Sequence, residues 1–171
     1  MQRVCFSGSE EMKQPDLVFF SVCLPWLVLA LDRTPGFTLW PAIDERSAAF
    51  FALGQSKATA TPTILVCTSG TAGAHYLPAL IEAKMTSTPL VVLTADRPWE
   101  LQGFGAPQTI DQSALFGRHV LHCEMLPTPD ESPRMLLHLR ALIHKWMARA
   151  MSHDGGPIHF NVPFREPLSC A

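Results

Sequence analysis

Two short, unbroken runs of apolar residues, Thr63-Ile-Leu-Val-Cys67 and Pro89-Leu-Val-Val-Leu-Thr94, constrain this chain more than any other feature. A strand whose successive side chains are all apolar is covered on both faces, as strands are in a parallel sheet sandwiched by helices. The stretches around these runs carry the helical period. Glu45 to about Lys57 is Ala-rich and puts Ala49, Phe50 and Leu53 on one face. Thr71 to about Met85 does the same with Ala74, Leu77, Leu80, Ile81 and Met85, and Pro78 predicts a kink within it. Ser132-Pro133 supplies an N-cap and an N1 proline for a helix to about Met151, ended before Gly155-Gly156. Phe37–Trp40, His119–Met125 and Pro157–Asn161 read as shorter strands, Asp111–Phe116 as a short helix, and Asp96–Pro107, with two prolines and two glycines, as a loop. This alternation predicts an α/β domain built on a mainly parallel sheet flanked by helices.

At 171 residues with 47% hydrophobic and 16% charged positions, the chain is long enough for one domain with a substantial core. Thirteen Lys and Arg against fifteen Asp and Glu leave a net charge of -2, without the positive field that holds a polyanion, so no nucleic-acid partner is expected. The five cysteines (Cys5, Cys23, Cys67, Cys123, Cys170) are odd in number, scattered and without a C-x-x-C pair. That distribution argues against a disulfide framework or a zinc knuckle and for a reducing compartment. Leu17 to Leu31 is uncharged, but its fifteen residues fall short of the about 20 that span a bilayer, and Pro25 interrupts them. Glu10 and Glu11 stand where a secretory signal carries basic residues, and Asp32-Arg33-Thr34-Pro35 is no small-residue cleavage site. Neither a membrane span nor a secretory leader is expected.

Ligands of parallel α/β sheets bind at the carboxyl ends of the strands. Four segments fall there: Asp44-Glu45-Arg46, Thr68-Ser-Gly-Thr-Ala72, Thr94-Ala-Asp-Arg-Pro98 and the loop around Gln108. Glu45 has two explanations that the sequence leaves open. One is a carboxylate that complements the helix dipole, with Asp44 as the cap; the other is a carboxylate facing an apolar cleft and sharing a proton with a cofactor nitrogen. The residues of Thr68–Ala72 are small enough for N–H groups and hydroxyls to approach a ligand closely. They match neither G-x-G-x-x-G nor G-x-x-x-x-G-K-[ST], so no nucleotide phosphate site follows. Arg97 either offers a bidentate fork to a carboxylate or pairs structurally with Asp96. His119, His122 and Cys123 are the densest group of potential ligands. Two histidines three apart on a strand face opposite sides, however, and His138 and His144 also diverge on their helix, so no metal site is expected. No G-x-S-x-G nucleophile motif is present.

Six strings stand in one order: Asp44-Glu-Arg46, Thr68-Ser-Gly-Thr-Ala72, Tyr76-Leu-Pro-Ala-Leu-Ile-Glu-Ala83, Leu93-Thr-Ala-Asp-Arg-Pro98, Gly105-Ala-Pro-Gln-Thr-Ile-Asp-Gln112 and Gly156-Pro-Ile-His-Phe-Asn-Val-Pro-Phe-Arg-Glu-Pro-Leu168. Together, from about Leu29 to Leu168, they resemble the N-terminal pyrimidine-binding (PYR) domain of the 2-succinyl-5-enolpyruvyl-6-hydroxy-3-cyclohexene-1-carboxylate synthase family. These are thiamine-diphosphate-dependent transferases of menaquinone and phylloquinone synthesis. The resemblance implies that Glu45 activates the cofactor: hydrogen-bonded to N1′ of the aminopyrimidine, it favours the imino tautomer that takes the proton from thiazolium C2. In the family the activated cofactor decarboxylates 2-oxoglutarate, and the resulting carbanion adds to isochorismate. The resemblance further implies that Arg97 and Gln108 contact these carboxylate-rich substrates, and that Ser69, Gly70 and Thr71 line the pyrimidine end of the cofactor.

Three departures from the family pattern qualify these expectations. The family's diphosphate-binding domain, with its magnesium motif, has no counterpart among the 171 residues, so magnesium and diphosphate ligands are expected from elsewhere. Ser21-Val-Cys-Leu-Pro25 replaces a Pro-Gly-Ser-Arg-Ser-Thr-Pro loop, with Val22 at the arginine position, and Pro107 replaces an asparagine. Residues 1–20 match nothing in the family and are taken as an atypical N-terminal segment, with the PYR domain over 21–171. The family's first helix and strand are accordingly expected to be missing or rewritten, exposing a sheet edge, with Leu17–Leu31 packing in another way or mediating association. The expected partners are a second copy of the chain or a diphosphate-binding domain, and the expected compartment is the cytoplasm, or the plastid in a photosynthetic eukaryote. Activity of the chain by itself is left open. The alternatives are a PYR-fold interaction module without turnover and a truncated remnant.

Overall fold

The computed structural model describes residues 17–22, 25–129 and 132–165. Within these residues the apolar runs form six strands: β1 (Leu17–Val22), β2 (Phe37–Pro41), β3 (Thr63–Cys67), β4 (Leu90–Asp96), β5 (Cys123–Met125) and β6 (Ile158–Pro163). They lie side by side in the order β2-β1-β3-β4-β6-β5, and every neighbouring pair is parallel. Four α-helices connect and cover them: α1 (Pro25–Asp32), α2 (Glu45–Thr59), α3 (Leu77–Met85) and α4 (Pro133–Ala150).

The predicted caps set the helix ends. Asp44 holds an extended backbone and accepts a hydrogen bond from the Ser47 N–H at 2.7 Å, which satisfies one of the orphan donors at the start of α2. Ser132 accepts from the Met135 N–H at 3.3 Å, with Pro133 in the first turn of α4. At the other end of α2 the backbone turns left-handed at Ala60, with φ 54°.

Strand alternation divides the core into two layers. Leu65 and Cys67 of β3 and Leu90 and Val92 of β4 face α2 and α3, where they pack with Ala49, Ala52, Leu80, Tyr76 and Phe116. Ile64 and Val66 face the other way with Val91, Ile158 and Phe160, and are covered by Leu27, Val28 and Leu31 of α1 and by Leu142, Trp146 and Met147 of α4.

Several expectations are corrected. The first strand is not missing: β1 sits between β2 and β3, so residues 17–20 belong to the sheet although they precede the boundary read at residue 21. The uncharged stretch from Leu17 is thus a strand followed by a short helix, and residues 1–16 lie outside the described ones. The helix expected from Thr71 is two pieces, 3₁₀ turns over Gly70–Tyr76 and then α3 with Pro78 in its first turn. A first-turn N–H has no acceptor within the helix, so proline starts α3 instead of kinking it. Asp111–Phe116 is a turn and not a helix, its Asp111 carboxylate accepting from the Ser113 N–H at 2.9 Å, and a 3₁₀ turn follows at Gly117–His119. That turn leaves only Cys123–Met125 of the expected 119–125 strand. Among the described residues no helix is long and apolar enough to cross a membrane.

Candidate functional site

A single row of the sheet brings the strand ends together. Val22 is in register with Cys67, Cys67 with Thr94, and Thr94 with Asn161. Because all strands are parallel, the segments that leave them gather along one edge, which brings Glu45, the Thr68–Ala72 turn and the 105–112 loop together.

There they line a cleft of about 430 Å³, whose walls are Glu45, Thr68–Ala72, His75, Ala106 and Gln108–Ile110. Five of the six residues singled out in the sequence, Glu45, Ser69, Gly70, Thr71 and Gln108, therefore lie in one place. Asp44 caps α2, while the half-buried Glu45 one residue on contributes a carboxylate to the cleft and sits in the first turn of the helix. Behind it, burial pushes the Cys67 thiol up to about 12 and the Tyr76 hydroxyl well above its usual range, with the Glu45 charge adding to both. Tyr76 keeps its proton and donates it to the Val66 carbonyl at 3.1 Å.

Gly70 is required by two features. Its φ is +84°, and a Cβ there would lie 3.3 Å from the Cα and carbonyl oxygen of Gln108. Gln108 itself has a positive φ of 53°, which costs a non-glycine residue on the order of 1 kcal/mol and holds its main chain against Gly70. Gly73 allows a second close approach, since a Cβ would meet Leu115 at 2.9 Å and Thr94 at 3.0 Å.

Arg97 lies in a neighbouring cleft of about 470 Å³ with Pro98, Glu100, Leu101, Ala106, Pro107, Phe164 and Arg165. Ala106 lines both clefts, so the 105–108 loop is the partition between them, with Gln108 facing the first and Pro107 the second. Arg165 and Glu100 form a two-point ion pair at the second cleft. Asp96 and Arg97 are tied through the main chain, the Arg97 N–H donating to Asp96 Oδ1 at 2.7 Å. The other Asp96 oxygen accepts from Asn161 at 2.6 Å and Gln102 at 3.2 Å. Burial raises the Asp96 carboxyl above its ordinary value, against the lowering effect of those donors.

The sequence did not single out Gln112 and Asn161, both buried, or His75 at the cleft wall. A signal for Asn161 was present: His159 and Asn161 alternate on one face of an otherwise apolar strand, and buried polar side chains come with partners. The histidine and cysteine groups have other roles. His122 stacks on Trp146 with ring centroids 3.5 Å apart and binds Glu124 at 2.6 Å. Cys123 Sγ lies 3.1 Å from Nδ1 of His159. Among the described residues no three His, Cys, Asp or Glu side chains are grouped to hold a metal ion.

A parallel α/β domain with a first-turn carboxylate facing a glycine-bearing turn across a cleft defines a class of cofactor-binding domain, and sequence comparison agrees. Residues 18–115 match the family described as thiamine pyrophosphate enzyme, N-terminal TPP binding domain, and the chain belongs to that family. More narrowly, it is similar to 2-succinyl-5-enolpyruvyl-6-hydroxy-3-cyclohexene-1-carboxylate synthases. It is 50% identical to that of Myxococcus xanthus over 143 residues, which are 84% of this chain and 24% of that protein. It is 52% identical to that of Chloroflexus aurantiacus over 142 residues (83% and 24%), and 49% identical to that of Halobacterium salinarum over 142 residues (83% and 24%). The chain spans about a quarter of the length of these curated relatives.

Proposed function

We propose that this chain is the pyrimidine-binding part, residues 21–171 together with the preceding strand residues 17–20, of a synthase that decarboxylates 2-oxoglutarate and adds the succinyl carbanion to isochorismate. The observation that carries the reading is the convergence of Glu45, the Thr68–Thr71 turn and Gln108 on one cleft. The lining suits the aminopyrimidine of thiamine diphosphate: it has one carboxylate, hydroxyls and peptide groups of small residues, and neither lysine nor arginine to hold a phosphate. Magnesium and the diphosphate accordingly fall to a diphosphate-binding domain that associates with this chain, in the cytoplasm, and pairing with a second copy of the chain is the other expected association.

When bound, the cofactor supplies an electron sink for decarboxylation of a 2-oxo acid. Glu45 holds a proton at pyrimidine N1′, and Ser69, Gly70 and Thr71 orient the ring against it. Arg97 grips a substrate carboxylate from the adjoining cleft, and Gln108, on the partition, offers its amide to the same substrate. The apolar walls of Pro98, Leu101 and Phe164 reduce the dielectric around that ion pair and strengthen it.

The test is a chimera in which this chain replaces the matching quarter of the Myxococcus xanthus synthase, titrated calorimetrically with thiamine diphosphate and magnesium and then assayed with 2-oxoglutarate and isochorismate. Saturable cofactor binding with turnover is the expected result. A folded chimera that binds no cofactor overturns the reading. Arg97→Ala should raise KM for 2-oxoglutarate more than it weakens the cofactor; equal losses would make Arg97 structural.

A further inference from the structure

Three buried polar side chains run without a break from one cleft to the other. The Gly70 N–H, in the first cleft, donates to Gln112 Oε1 at 2.7 Å. Gln112 Nε2 donates to the Ala95 carbonyl at 2.9 Å and to Asn161 Oδ1 at 2.7 Å. Asn161 Nδ2 donates to Asp96 Oδ2 at 2.6 Å, and Asp96 Oδ1 accepts the Arg97 N–H, at the second cleft, at 2.7 Å. Gln112, Asn161 and Asp96 are 1%, 0% and 3% exposed, so water does not compete for these bonds.

The direction of every bond is fixed. Asn161 Oδ1 also accepts from Thr94 Oγ1 at 2.6 Å, and its Nδ2 also reaches Met125 Sδ at 3.1 Å. Flipping either amide would set donor against donor, which leaves one arrangement for the pair. Desolvating three such groups is costly unless all are partnered, and an apolar filling would pack the same space without that requirement. What the polar filling adds is a directional link between the turns that leave two neighbouring strands, β3 and β4, at the same edge of the sheet.

We propose that Gln112, Asn161 and Asp96 are positioning residues that act as one relay, holding the Gly70 turn and the Arg97 turn at a fixed separation so that displacement of one is transmitted to the other. The functional meaning of the relay, alignment of a cofactor subsite with a substrate subsite, rests on the reading of the two clefts given above. The relay itself is testable in the chain without any ligand.

The experiment is amide hydrogen exchange by NMR on the 171-residue chain and two variants, with the strand amides of Leu65 and Val92 as internal controls. Gln112→Leu removes the acceptor for Gly70, and the relay requires exchange to rise about tenfold at Gly70 and also at Arg97, which Gln112 does not touch. Asp96→Asn probes from the other end and keeps the volume. It should raise exchange at Arg97 and, two links away, at Gly70, with the double variant no worse at either amide than the single ones. Exchange that rises only at the amide next to each substitution, with the controls unchanged, overturns the relay. Absence of thiamine diphosphate binding would overturn the cofactor reading and leave the exchange result standing, so the two failures are distinguishable.

Discussion

The two faces of the sheet are built differently. On the α2/α3 side small residues, Ala49, Ala52, Ala79 and Ala83, are fully buried and let the helices approach the strands closely, with Leu65, Leu80 and Tyr76 completely enclosed between them. On the α1/α4 side, α4 runs for eighteen residues yet fully buries only Ala150, and Leu136, Leu137 and Ile143 remain 52%, 66% and 41% exposed. The indole N–H of Trp146 is buried there with no hydrogen-bond partner among the described residues. The cleft proposed for the cofactor hangs from the tight face: Glu45 opens α2, the Gly70 turn leads into α3, and His159 and Asn161 point to that side. The role proposed for Glu45 needs its carboxylate fixed within a fraction of an ångström, and a close-packed layer supplies that rigidity.

The largest test of this contrast is a pair of truncations read by urea unfolding. Leu80→Ala, in the tight layer, should cost about 2–5 kcal/mol, and Leu142→Ala, half-buried on the inner side of α4, about 1 kcal/mol. Equal costs would remove the distinction between the faces.

Acid should attack the tight face. His159 is fully buried against Phe116, and burial lowers its pKa from 6.5 to about 4. Thr94 gives its hydroxyl proton to Asn161, so it accepts from His159 Nε2, and the neutral ring carries its hydrogen there. The folded state thus favours the uncharged form. Its contribution is complete above pH 6.5 and is lost as the pH falls toward 4, on the order of 3 kcal/mol in total. The midpoint of urea unfolding should fall accordingly between pH 7 and 4, and His159→Gln should flatten that dependence.

Smaller effects should follow at the helix starts and on the open face. Asp44→Ala removes the α2 cap and should lower Tm by about 3 °C in a calorimetric scan. The bonds from Ser47 hold the Asp44 carboxyl below its ordinary value, so the cap works above the usual carboxylate range and fades as the pH falls below it. Leu137→Gln, on the exposed side of α4, should change stability by no more than about 0.5 kcal/mol.

The same contrast explains what was legible in the sequence. The all-apolar runs of β3 and β4 and the Asp44 and Ser132 caps are local signals, and the structure follows them. Strand ends and a family resemblance both point to Glu45, Ser69, Gly70, Thr71 and Gln108, and the structure places these five along one cleft. The role of Pro78 is not local, because it depends on where the helix begins, which is decided by the 3₁₀ turns that Gly70 and Gly73 permit. The strand at Leu17–Val22 is not legible locally, because its place in the sheet is set by pairing with residues twenty and forty-five positions away, Leu17 with Phe37 and Phe19 with Ile64. Gln112 and Asn161 are 49 residues apart in sequence, and no local pattern shows that they meet.

The central claim is that Glu45 is the group that activates the cofactor, and hydrogen–deuterium exchange at thiazolium C2 reads it most directly. In the chimera with the Myxococcus xanthus synthase, the chain carrying Glu45 should exchange C2 rapidly, and Glu45→Gln should slow it by at least about 100-fold while thiamine diphosphate still binds, because an amide does not relay the proton. Exchange at the unaltered rate in the Glu45→Gln chimera would contradict the assignment.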